Sequence, residues 1–347
     1  MSESSTIPVM LGISTTILAA AALQLAQPIL APLVFALFVI ALVWPVQRSL
    51  EARMPKLLAL LLTLLGTLVT LVGLAWLILW GFGRIGQWLI DNAGRLQMLY
   101  LQKTAWLESQ GMAVAGPLAE HFDVRWLIRI LPQVTGTLQS FLSFATLTLV
   151  FTLLGLLEVG STGDRLAVLG RTRDGAATLL RAATATSSKL QRYMLVRTAM
   201  SLLTGIVIWA FARATGLELA AEWGVIAFVL NYIPFLGPLL ATVLPTLFAV
   251  LQYESWESAL LVFGGLNVIQ FLSGSYIEPR IAGAALAFSP FLVLVAVFFW
   301  TFLWGIAGGF IGVPIAIAGL TLCAEHPPSR WVAELLSGKA ATPVSPA

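Results

Sequence analysis

A chain of 347 residues with 59% apolar and only 10% charged side chains lies far from the soluble norm of about 25% charged, and it reads as an all-α, polytopic integral membrane protein. One cysteine, Cys323, excludes an internal disulfide and a cysteine metal cluster, and His121 and His326 cannot by themselves build a histidine metal site. The net charge of +3 marks membrane topology rather than nucleic-acid binding, because the basic residues sit mostly in two loops.

Apolar runs long enough, or nearly so, to cross a bilayer core of about 30 Å occur at residues 7–26, 28–46, 57–82, 136–157, 198–212, 223–251 and 258–277, and a final uncharged stretch covers 281–324. About eight membrane segments are expected. The first two runs predict a helical hairpin turning at Gln27 and Pro28; no Lys or Arg precedes the first run, which argues against a cleaved signal peptide. Placing the N-terminus and the C-terminus in the cytoplasm puts 13 of the 19 basic residues inside and 6 outside, the partition that the positive-inside bias favours.

Two polar segments interrupt the pattern. The outer insert, residues 83–135, carries Ile85, Trp88, Leu89, Leu96, Leu99, Trp106 and Leu107 at roughly helical spacing, which predicts amphipathic helices lying on the membrane or packed on neighbours. The inner segment, residues 158–197, holds seven basic residues and predicts a cytoplasmic helix near anionic lipid. Residues 325–347 read as a disordered cytoplasmic tail, so that residues 1–347 form a single transmembrane domain with these additions.

Two apolar stretches are too long for one straight crossing. Residues 223–251 are 29 uncharged positions, about 44 Å as one helix. At their middle stand Asn231, Tyr232, Ile233, Pro234, Phe235, Leu236, Gly237 and Pro238, where the prolines remove backbone donors and free carbonyls at membrane depth. Residues 281–324 are 44 uncharged positions, about 66 Å as one helix, with Ser289 and Pro290 near the start and Gly305, Gly308, Gly309, Gly312 and Pro314 at the expected break. Both segments, residues 231–238 and 305–314, are expected to be non-helical, either as re-entrant hairpins or as kinked spans. Gly/Pro-broken segments point to the solute site of a secondary transporter, whereas the GxxxG spacings at Gly305, Gly308, Gly309 and Gly312 equally suit close helix packing.

The run 258–277 and the residues just beyond it carry a polar stripe. Asn267, Gln270, Gly274 and Glu278 fall on one face of a regular helix. Asn267, Gln270, Glu278 and Arg280 are expected to line a solute pathway with Asn231, Tyr232, Pro234, Gly237 and Pro238, the alternatives being interhelical hydrogen bonding by the amides and simple pairing of Glu278 with Arg280. No phosphate-loop motif occurs, so the driving force is expected from gradients rather than ATP. No catalytic residue, cofactor or metal is expected.

At these residues the chain resembles the AI-2E family of bacterial membrane proteins, which includes autoinducer-2 exporters and PerM-like permeases. NYIPFLGP from Asn231, LPTLFAVL from Leu244, IEPRIAG from Ile277, FSPFLVL from Phe288 and GIAGGFIGVPIA from Gly305 follow the family's order and spacing. Weaker similarity extends to LAPLVFALFVIALVWPV near the N-terminus and LQRYMLVR before the fifth run. Ser289 stands where the family usually has His. The resemblance implies an inner-membrane permease of about eight spans that moves a small solute, by efflux of autoinducer-2 in quorum sensing or by Na+/H+ antiport, and it leaves homo-oligomerisation open. Autoinducer-2 is small, neutral and polyhydroxylated, and Asn231, Asn267, Gln270 and freed carbonyls are suitable partners for it. A reading of another class, a non-transporting membrane scaffold, remains beside these.

Overall fold

The computed structural model describes residues 6–99, 102, 125–282 and 289–336. Among them there is no strand, and the elements in order are α1 (Thr6–Leu25), α2 (Gln27–Glu51), α3 (Lys56–Asp91), α4 (Arg125–Leu169), α5 (Asp174–Thr215), α6 (Ala220–Leu230), α7 (Leu236–Tyr253), α8 (Trp256–Gln270), a π-helical turn (Phe271–Ile277), α9 (Glu278–Ala282), α10 (Pro290–Glu325) and α11 (Arg330–Leu336). Seven helices among the described residues are long and apolar enough to cross a membrane, and α6 is a shorter apolar helix. The first two helices are separated at Ala26 (φ −82, ψ 2), one residue ahead of the expected turn.

The polar segments are extensions of spans more than separate elements. The first part of the outer insert continues α3, and there Ile85 and Leu96 are buried while Trp88 and Leu89 pack against the same core as Ile85. Packing on neighbours therefore explains the amphipathic spacing; Trp106 and Leu107 lie outside the described residues. The inner basic helix is likewise the first half of α5, which runs 42 residues without interruption. Part of the expected disordered tail is helical, as Arg330–Leu336.

The chain forms two compact units, each built from discontinuous segments. The first comprises residues 1–69, 143–195 and 282–347. In it Ile40, Leu60 and Leu156 form one core cluster, and Phe35 packs on Phe144 and Phe310 with ring centroids 5.4 and 5.6 Å apart. Pro45 inside α2 lacks the N–H that would bond the Ala41 carbonyl. Ser187 Oγ (2.8 Å) and Gln191 Nε2 (2.9 Å) on α5 donate to that carbonyl instead, so a proline defect becomes an interhelical tie.

In the same unit α10 reverses. Trp304 (φ −127, ψ 17) and Gly305 (φ 61, ψ −145) are its non-helical residues, and a backbone with that positive φ is open to glycine and costly for other residues. A Cβ on Gly312 would fall 2.8 Å from the Ala296 carbonyl oxygen, and Gly308 presses on the Trp300 carbonyl. Positions 296 and 312 would stand about 24 Å apart on a straight helix, so the two halves lie antiparallel. This corrects the expected break in two ways. It is a hairpin turned by two residues, and Gly308, Gly309, Gly312 and Pro314 are helical and buried, closing the pair as small residues do in membranes.

The second unit comprises residues 70–142 and 196–281. Ile208 and Ala212 of α5, Trp223 and Ile226 of α6, Phe248 of α7 and Leu266 of α8 share its core.

Candidate functional site

Within the second unit α6 and α7 form a hairpin whose base and tip are both pinned. At the base Tyr253 Oη donates to the Thr215 carbonyl (2.9 Å) and Gln252 Nε2 to the Gly216 carbonyl (2.9 Å). The extension of α3 secures the same end, where Arg84 pairs with buried Glu222 at 3.3 Å, Arg95 with Glu254 at 2.8 Å, and Trp88 Nε1 donates to Glu218. At the tip Tyr232 Oη donates to Thr198 Oγ1 on α5 at 3.1 Å. Thr198 is 17 residues from Thr215 along one helix, or about 26 Å of rise, so the hairpin is nearly as long as a bilayer core of about 30 Å is thick.

The non-helical backbone is Asn231 to Phe235, and the helix resumes at Leu236, three residues earlier than expected, with Gly237 and Pro238 in its first turn. The turn is tight for a backbone reason. Leu236 N–H, which in a helix would bond the Tyr232 carbonyl, donates to the Pro234 carbonyl at 2.7 Å across Phe235 (φ 62, ψ −52). This is a γ-turn of the rare, strained hand, on a residue with a side chain, and strain of that kind costs about 1–3 kcal/mol. No backbone N–H reaches the Asn231 carbonyl among the described residues. Gly237 sits against the Leu230 carbonyl where a Cβ has no space. Asn231 is 5% exposed and Tyr232 7%, and the Tyr232 ring meets Phe228 edge-on at 5.6 Å.

Of the residues expected on the pathway, Asn231, Tyr232 and Pro234 lie in the turn and Gly237 and Pro238 in the first turn of α7. The polar stripe fares differently. Asn267 is exposed and donates to its own helix at the Phe263 carbonyl (2.8 Å), and Gly274 is exposed. The buried side of α8 and the following turn carries Ala259, Val262, Leu266 and Ser273. The π-helical turn, with its wider i→i+5 winding, replaces the regular helix on which the one-face reading rested.

Gln270 is half-buried with Nε2 enclosed and unbonded. Glu278 does not pair with Arg280: its Oε1 accepts from Arg197 Nη1 at 2.6 Å, while the Arg280 guanidinium lies 3.7 Å from the centroid of the Tyr276 ring. Arg197 is 5% exposed. Sequence reasoning missed it because an arginine just before an apolar run reads as an interface anchor. Its one available signal was a helical spacing, Arg197, Ser201 and Thr204 at i, i+4 and i+7. The Gly305 turn belongs to the other unit, where Trp304 Nε1 donates to the Leu23 carbonyl at 3.0 Å.

Seven membrane-length apolar helices among the described residues define a polytopic membrane protein, and a hairpin with a strained tip that buries polar side chains is a feature of transporter folds. A family model described as AI-2E family transporter matches residues 13–326, and the chain belongs to that family. It is 31% identical over 341 residues to the AI-2 transport protein TqsA of Escherichia coli K12, covering 95% of both chains. A putative transport protein of Haemophilus influenzae is 26% identical over 335 residues, 92% of this chain and 93% of its own. A shorter match, 31% over 126 residues and 36% of each chain, is to the putative transport protein YhhT of Escherichia coli K12. The chain is a multi-pass membrane transporter of the bacterial inner membrane.

Proposed function

We propose that this chain is a gradient-driven exporter of a small, neutral, oxygen-rich solute of the autoinducer-2 kind, with both termini in the cytoplasm and a role in quorum sensing. The observation that carries the reading is the similarity, along 95% of both chains, to a protein named for AI-2 transport. The electrostatics favour it over Na+/H+ antiport within the same family. A cation carrier needs a carboxylate free to bind and release its ion, and in the second unit Glu278 and Glu222 are both held by arginines. Asn231, Tyr232, Gln270 and the freed backbone of the turn offer neutral donors and acceptors instead. The 13 to 6 division of basic residues supports the orientation, on which the Arg197 end of the hairpin faces the cytoplasm.

Transport in sealed vesicles tests the proposal. Inside-out vesicles carrying the chain should accumulate autoinducer-2 and move neither sodium nor protons in its absence. Sodium–proton exchange without autoinducer-2 flux would turn the assignment to the antiporter, and no flux of any of the three would turn it to the scaffold.

A further inference from the structure

The face of α5 that meets α8 and α9 carries more unmet polar groups than packing explains. Two contacts fix the seam. Gly265 of α8 lies against the Phe211 ring of α5 with no space for a Cβ, and Arg197 of α5 grips Glu278 at 2.6 Å. Phe211 and Arg197 are 14 residues apart on α5, two heptads and so nearly the same side of a helix. Thr204 lies midway on that stripe and Ser201 one turn from Arg197. On the opposing helix, α8, Gln270 stands five residues from Gly265, which by helical rise puts it within about 3 Å of the level of Thr204.

Four buried groups here have no protein hydrogen-bond partner among the described residues: Arg197 Nε, Ser201 Oγ, Thr204 Oγ1 and Gln270 Nε2. Hydroxyls in apolar helices ordinarily turn back onto the carbonyl four residues earlier. Thr63, Thr242, Thr246 and Ser273 all do so, at 2.7 to 2.9 Å. Ser201 and Thr204 do not, although each is at most 1% exposed. An unmet polar group in a buried place is costly and calls for a partner.

We propose that the α5–α8 seam, through Ser201, Thr204, Gln270 and the Nε of Arg197, is a binding site for a neutral polyhydroxylated solute. All four groups can donate, so the ligand must be rich in acceptor oxygens. The one cation present is already neutralised by Glu278, so the ligand carries no net charge. The Tyr232–Thr198 bond sets the strained hairpin tip beside the Arg197 end of the site. The assignment deepens the transporter reading and rests on it for the ligand class.

The test uses the full chain purified in detergent, with autoinducer-2 and the five-carbon polyol ribitol as probes, and compares Ser201→Ala/Thr204→Val, Gln270→Leu and the control Thr246→Val. The double variant should melt at the wild-type temperature or above it without solute, because it removes unmet polar groups. It should bind the solute at least tenfold more weakly, a loss of about 1.4 kcal/mol. Gln270→Leu should lose about as much, and Thr246→Val should bind as wild type. A double variant that melts several degrees lower shows the hydroxyls to be structural ties and overturns the site. Wild-type affinity in the double variant and in Gln270→Leu overturns the site while leaving the transporter reading intact. A wild-type chain that binds neither probe overturns both.

Discussion

The two hairpins solve the same problem with different chemistry. Each reverses a chain inside an apolar run, and each relies on glycines pressed against a carbonyl, Gly237 on Leu230 and Gly308 on Trp300. The α10 hairpin turns on a glycine whose conformation is open to it, ties its tip indole to the Leu23 carbonyl, and packs Gly308, Gly309 and Gly312 in its wall. The α6–α7 hairpin turns on Phe235 in a strained γ-turn and keeps Asn231 and Tyr232 buried at the tip. Strain of that kind gathers at functional sites, and on the transporter reading we propose the α6–α7 tip, rather than the α10 turn, as the part that meets solute.

The largest effects should be common to both. Gly237→Ala and Gly308→Ala each drive a Cβ into backbone that cannot swing aside, and each should abolish accumulation of folded protein, read by fluorescence-detected size exclusion. If only one is lost, the hairpins do not share a packing rule. Next in size is Arg197→Met, which leaves Glu278 without its partner and should cost about 3–5 kcal/mol, seen as a lower melting temperature; the double variant Arg197→Met/Glu278→Gln should recover most of it. An equal loss in the double variant would mean that the arginine stem, not the pair, holds the seam. The smallest effect separates the hairpins most sharply. Phe235→Gly relieves the positive φ and should stabilise the chain or leave it unchanged while slowing transport, whereas Gly305→Ala, which introduces strain at φ 61, should destabilise it by about 1–3 kcal/mol. Unchanged transport in Phe235→Gly would remove the strained turn from the mechanism.

Composition and local pattern alone determined that this is an all-helical membrane protein and that two of its apolar runs are broken, and they placed the breaks at residues 231–238 and 305–314, wider than the Asn231–Phe235 and Trp304–Gly305 turns that form. Charge content, run length and the Gly/Pro restriction are properties of short stretches, so they are legible without contacts. Only the tertiary structure decided what those breaks become. Gly308 to Pro314 look like breakers until Ala296 and Trp300 are seen against them. The one-face placement of Asn267, Gln270, Gly274 and Glu278 assumed a regular helix, and a π-helical turn, which no periodicity announces, replaces that winding after Gln270. Arg197 reads as an anchor until Glu278, 81 residues away, is found beside it. Ser201 and Thr204 look like ordinary helix residues until burial shows their hydroxyls turned from their own backbone. Burial and pairing across long sequence separations depend on the packed neighbours, and a linear pattern holds no record of which neighbours those are.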